Sequence, residues 1–183
     1  NPALKHYREF FEKMENPEIT SEILLRVAEI ELKELSDTKA ALESYQKYLK
    51  DFPAAHKRLS VMFQVAELYT KYKFEYSRAL ETYEDISNAY PQTKWDEKAK
   101  FAQADLLANR LSDFDAAIQV YENLINTNFE SKLAPEAQYR IASIYEIQLN
   151  DDLQAIQAYD DLIARYPNSS YAVQARRQID KIR

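Results

Sequence analysis

The sequence predicts an all-α solenoid of antiparallel helix pairs, and three observations carry that reading. First, one apolar face recurs every 38 residues. Ala117, Ile118, Tyr121, Leu124 and Ile125 return as Ala79, Leu80, Tyr83 and Ile86, and as Ala41, Leu42, Tyr45, Tyr48 and Leu49. Further copies are Ala3, Leu4, Tyr7, Phe10 and Phe11, and Ala155, Ile156, Tyr159, Leu162 and Ile163. A fixed period of this size marks stacked repeats. Second, Ala28, Ala66, Ala104 and Ala142 form another series at the same step, so two helix types alternate. Third, Pro53, Pro91 and Pro167 fall at matched points after the second type, where proline ends a helix.

Composition narrows the function. Glycine is absent, which removes phosphate-cradling glycine loops, nucleophile elbows and dinucleotide fingerprints. Cysteine is absent, which removes disulfides, zinc thiolates and cysteine nucleophiles and leaves the redox compartment open. The 24 basic and 30 acidic residues are spread evenly, so no basic face for nucleic acid or anionic lipid is expected. No apolar run reaches the roughly 18 residues of a membrane span. The chain opens at Asn1-Pro2 inside a repeat and without Met. It is therefore expected to be a piece of a longer protein, and the lack of a signal peptide bears nothing on export.

The elements follow in order. Residues 2–15 read as a second-type helix with its stripe at Leu4, Tyr7, Phe10, Phe11 and Met14, ended by Asn16-Pro17-Glu18. Residues 20–35 read as first type, capped by Thr20 or Ser21, with Ile23, Leu24, Val27, Ala28 and Ile30 inward. Residues 39–51 are second type, capped by Asp37 or Thr38 and closed at Phe52-Pro53. The alternation continues through 59–73, 77–90, 96–111, 114–127, 134–148 and 152–166. Asp113 or Ser112, and then Asn150 or Asp151, are the expected caps, and Asn128-Phe129 replaces the closing proline. Residues 171–182 read as a last first-type helix, and Arg176, Arg177, Asp180, Lys181 and Arg183 fit either the polar outer face of a terminal cap or a repeat at which the sequence simply stops. Small alanines and large tyrosines at matched points are expected to interlock the helices. The domain reading is a single solenoid over 1–183, with repeats near 19–56, 57–94, 95–132 and 133–170 and half-repeats at 1–18 and 171–183.

These positions resemble the tetratricopeptide repeat family. The resemblance rests on the mid-helix Ala28, Ala66, Ala104 and Ala142, followed by Tyr69, Leu107 and Tyr145. It rests also on the Ala41/Tyr45 pair with its copies, and on Pro53, Pro91 and Pro167. Glu31 departs from the pattern, and Leu24, Met62, Lys100 and Gln138 replace the usual opening tryptophan. The period exceeds the family's 34 residues, with one added residue expected between the helices and three after the proline. The long period, and Tyr166 to Ala175 as a phrase, look similar to bacterial envelope members of the family. Those include the outer-membrane-assembly lipoprotein and the periplasmic Tol–Pal coordinator. The resemblance implies a right-handed superhelix and a non-enzymatic protein–protein interaction scaffold or adaptor.

The resemblance also implies a groove lined by the first-type helices. Carried onto this chain, its binding positions are Phe63, Glu67, Phe101, Asp105 and Tyr139, with Ala108, Asn109, Ser143 and Ile147 in the same register. The expected ligand is a protein or peptide with apolar and basic side chains. The rival reading gives the aromatics an internal packing role. The family's lysine/asparagine carboxylate clamp is disfavoured, because Glu22 and Glu29 occupy the first repeat beside Lys71, Lys98 and Asn109. No cofactor, metal or catalytic residue is expected. His6 and His56 lack metal spacing, Asp151-Asp152 sit at a helix start, and adjacent Asp160-Asp161 diverge by about 100°. The alternatives are a cytoplasmic regulatory adaptor of the same fold and a helical accessory domain of a larger enzyme.

Overall fold

The computed structural model describes residues 2–13 and 16–183. Met14 of the expected first stripe lies outside the described residues, as does the side chain of Ala3. Among the described residues there are ten α-helices and no strand. They are α1 (Pro2–Lys13), α2 (Pro17–Lys33), α3 (Thr38–Asp51), α4 (Arg58–Leu68) and α5 (Tyr76–Ala89). There follow α6 (Lys94–Leu106), α7 (Phe114–Thr127), α8 (Ala134–Ser143), α9 (Asp152–Arg165) and α10 (Ser170–Ile182). The even-numbered helices are the first type, and the four odd ones from α3 onward begin at Thr38, Tyr76, Phe114 and Asp152, in step with the sequence period. Contacts group the chain into two compact units, Asn1–Thr82 and Tyr83–Arg183, called unit 1 and unit 2.

Caps fix the starts. Asp37, Asp113 and Asp151 accept from the amides of Ala40, Ala116 and Gln154 at 3.0, 3.2 and 3.0 Å. Each removes one of the orphan donors of a helix N-terminus. The start of α2 differs from expectation. Asn16, not Thr20 or Ser21, is its cap, and its Oδ1 accepts from the amides of Glu18 and Ile19. Pro17 then stands in the first turn, where its missing N–H has no intrahelical partner to lose.

The ends of the first-type helices hold the second difference. α4, α6 and α8 run on into π-helical turns at Tyr69–Lys73, Leu107–Leu111 and Ile144–Gln148. The chain then reverses through a residue of positive φ: Phe74 at 52°, Ser112 at 55° and Asn150 at 51°, with Ser36 at 54° in the first repeat. One hydrogen bond closes every turn, from the amides of Asp37, Glu75, Asp113 and Asp151 to the carbonyls of Glu31, Tyr69, Leu107 and Tyr145. The added residue of the long period is thus taken up in a widened helix end and not in a free linker. All four reversals use a side-chain-bearing residue where glycine carries no Cβ penalty. Ser112→Gly should therefore stabilise the protein by about 1 kcal/mol, raising Tm by roughly 2–4 °C in a thermal melt.

Both units are packed around alanines. In unit 1, Ala28, Ala41, Ala66 and Ala79 are fully buried, with Tyr45 and Tyr48 filling the space beside them. Burial, with Glu29 and then Glu31 nearby, pushes the Tyr45 phenol up to about 12. In unit 2, Ala104, Ala117, Ala142 and Ala155 are fully buried, and so are Tyr121, Leu124, Tyr159 and Leu162. Glu31, the departure from the family pattern, is buried and accepts from Ser44 Oγ at 2.6 Å. Where α7 lacks its closing proline, Asn128 Nδ2 and Ser131 Oγ donate to the two oxygens of Glu97 at 2.7 and 2.6 Å. This carboxylate ties the loop back onto α6.

Candidate functional site

Phe101 and Asp105 stand four residues apart on α6 and therefore share one face. Glu136 and Arg140 do the same on α8, joined by an ion pair of 3.2 Å. Tyr121 reaches this face from α7. Its hydroxyl donates to Asp105 Oδ1 at 2.5 Å, and its ring meets Phe101 edge-on with centroids 5.5 Å apart. Arg140 Nε approaches the same Oδ1 at 4.0 Å. Asp105 is thus the acceptor between a phenol and a guanidinium. Burial pushes the Tyr121 phenol far above its ordinary value, and the bond to Asp105 adds to that. Burial works to lower the Arg140 guanidinium, but Asp105 and Tyr121 outweigh it and leave it raised.

In the next repeat Ser143 takes the place of Asp105, and the equivalent tyrosine finds another acid. Tyr159 donates to Glu146 Oε2 at 2.6 Å. Tyr139 on α8 lies 5.5 Å from Tyr159 and 5.6 Å from Tyr171, centroid to centroid. Phe101 and Tyr139 are accordingly half-buried, each against tyrosines of neighbouring helices. In unit 1, Phe63 on α4 is half-buried and Glu67 pairs with Lys71 at 3.7 Å.

The end of α6, the start of α7 and the π turn of α8 enclose a cleft of about 80 Å³. Asp105, Ala108, Asn109, Ser143 and Ile147 line it, all positions that the resemblance assigns to the groove. Phe114, Tyr121, Arg140, Ile144 and Gln148 complete it and were not anticipated. One signal for the tyrosine was present: an acid precedes the repeat tyrosine by 16 residues in Glu29/Tyr45, Glu67/Tyr83 and Asp105/Tyr121. Chemically the cleft offers an apolar floor at Phe114 and Ile144, two amide side chains at Asn109 and Gln148, and a charged pair at Asp105 and Arg140. Ile147 stands 60% exposed at its rim. Such a surface suits a peptide's side chain and backbone, and holds no nucleophile–base pair. Among the described residues no group of three His, Cys, Asp or Glu side chains could hold a metal ion. No helix among them is long and apolar enough to cross a membrane.

Comparison with known proteins agrees with this architecture. The fold is similar to that of a tetratricopeptide repeat protein from Parabacteroides merdae ATCC 43184, with a TM-score of 0.66 and 20% identity over 88% of this chain and 59% of that one. This chain therefore spans about three fifths of that relative. BtubC (BKLC) from P. vanneervenii gives 0.66 at 16% identity, over 99% of this chain and 79% of that one. The MamA 41-end form from Desulfovibrio magneticus RS-1 gives 0.60 at 16% identity, over 93% and 98%. At such identities the likeness concerns the fold. A search of curated proteins finds no match to the sequence. The family model for the tetratricopeptide repeat matches residues 22–55, 60–93 and 136–169, more than half of the chain. Repeats of this kind generally mediate protein–protein interaction and are typically non-catalytic scaffolds. With its paired helices, its crossing alanines and these three matches, the chain belongs to the tetratricopeptide repeat family.

Proposed function

We propose that this protein is an interaction scaffold that holds a partner segment on the face of its first-type helices, with the α6–α8 cleft as the principal pocket. The observation that supports this reading is the cleft itself: an apolar floor beneath amide and charged side chains, lined by residues of the expected groove register. An apolar side chain of the partner enters against Phe114 and Ile144, and Asn109 and Gln148 bond its backbone. A basic neighbour engages Asp105 through Oδ2, since both contacts of this carboxylate are to Oδ1. Phe63 and Glu67 offer the equivalent chemistry in unit 1, and Phe101 and Tyr139 act through their exposed edges. A bacterial-envelope setting belongs to the same proposal and rests on the long period and the Tyr166–Ala175 phrase.

Ile147→Glu tests the pocket with little risk to the fold, because Ile147 is largely exposed. Capture of the partner recovered by the parent chain should weaken at least about tenfold, the scale of one apolar anchor, with Tm unchanged. Asp105→Asn should lose the part of the affinity that falls with added salt. If both folded variants capture the partner as the parent does, the pocket is not the site.

A further inference from the structure

The α6–α8 cleft limits the size of what enters it. It holds about 80 Å³, about half of the ~150 Å³ cavity that takes one benzene ring. A branched aliphatic end fits, and a phenyl or indole ring does not. The charge at the cleft comes from three groups. Arg140 lies 4.0 Å from Asp105 and 3.2 Å from Glu136, so two carboxylates share one guanidinium. The sum is one negative charge, which favours a cation. Tyr121 and Arg140 both approach Asp105 at Oδ1, which leaves Oδ2 to meet it.

The amides bear on the conformation of the ligand. Asn109 stands on the π turn after α6 and Gln148 on the π turn after α8, and both are exposed. Each side chain carries donors and an acceptor. An α-helix bonds its own N–H and C=O groups except at its ends, so a helical ligand would offer these amides little. An extended segment brings free N–H and C=O groups to both. In an extended chain, adjacent side chains point to opposite faces and residues two apart point the same way. The side chains that meet Phe114 and Asp105 enter one cleft, so they belong to one face. They therefore stand two positions apart, a span of about 6.6 Å. On a helix they would stand three or four apart.

We propose that the cleft selects an extended segment in which a valine, isoleucine or leucine lies two residues from a lysine or arginine, in either order. This rests on the cleft being the binding site and adds the size, spacing and conformation of what binds there. The aliphatic end covers Phe114 and Ile144. The cation pairs with Asp105 Oδ2. Asn109 and Gln148 bond the main chain on either side of the anchor.

The probe is the blocked peptide Lys-Ser-Val-Ser-Lys, which places a lysine two residues from valine in both directions. It is titrated into the isotope-labelled 183-residue chain and followed by amide and side-chain chemical shifts. Saturable shifts are expected at Asn109, Ile147 and Gln148. Phenylalanine in place of valine should weaken binding about tenfold, the scale on which an apolar pocket discriminates by size. Glutamate in place of both lysines should weaken it about tenfold at low salt. Moving the lysines next to valine, or four residues from it, should weaken it about as much, since one face then carries only one of the two groups. Asp105→Asn in the chain should remove most of the preference for lysine over glutamate. Equal affinity for the valine and phenylalanine peptides, or tighter binding of either altered spacing, overturns the proposal while shifts at these residues keep the cleft as the site. Unmoved cleft residues with every peptide also overturn it, and capture by Ile147→Glu then tells whether the cleft reading fails with it.

Discussion

Tyr121→Ala is expected to destabilise the protein by about 3–5 kcal/mol, the cost of removing a large aromatic from a packed core. Tyr121 is 1% exposed, fills the space beside the fully buried Ala117, and packs against Phe101. Its loss leaves a cavity between rigid helices that relax only in part. It also leaves Asp105 without its hydroxyl donor. Tyr121→Phe separates the two effects, since it keeps the ring and removes only the bond to Asp105. That variant should lose about 1.5–3 kcal/mol, as expected for a hydrogen bond to a charged group. Chemical denaturation of both variants, with midpoints compared at equal slope, gives the two numbers. A Tyr121→Ala protein as stable as the parent would remove this residue from the core.

Ala117→Leu should cost about 1–3 kcal/mol by overpacking. Ala117 has no exposed surface, and α6 and α7 are the paired helices of this repeat. Extra methylenes there force the helices apart or push neighbouring side chains off their rotamers. The same substitution at Ala116, which is partly exposed on the same helix, should change stability by less than about 0.5 kcal/mol. Thermal melts of the two variants side by side separate a crossing alanine from an ordinary helical one.

Helix type and position were legible because burial follows period. Alanine and tyrosine at a constant step require the same neighbour at every step, and α3, α5, α7 and α9 begin at that step. The π turns were not legible. A helix widens there to accommodate one residue, and the reversals fall on Ser36, Phe74, Ser112 and Asn150, which share no chemistry that would announce a positive φ. The start of α2 was missed because Asn16-Pro17 reads equally as the end of α1 and as a cap followed by a first-turn proline. In the candidate site, five residues of the groove register (Asp105, Ala108, Asn109, Ser143 and Ile147) line the cleft, while Phe63, Glu67, Phe101 and Tyr139 do not. What the register does not show is that Asp105 also accepts from Tyr121 of the same repeat, through Oδ1. The spacing of acid and tyrosine is visible in sequence, but the reach of a phenol across two antiparallel helices is set by their close approach at the alanines. The Glu97 tie through Asn128 and Ser131 escaped notice for a related reason. The missing proline was evident, but its replacement comes from a different helix.

The proposed binding face is that of the first-type helices. Amide and side-chain chemical-shift mapping of the labelled protein, titrated with the partner that the parent chain captures, tests it most directly. The largest shifts are expected at Asn109, Ser143, Ile147 and Gln148, with Arg140 and Asp105 next. Shifts confined to the exposed acids of α5, Glu81, Glu84 and Asp85, with the cleft residues unmoved, would contradict it.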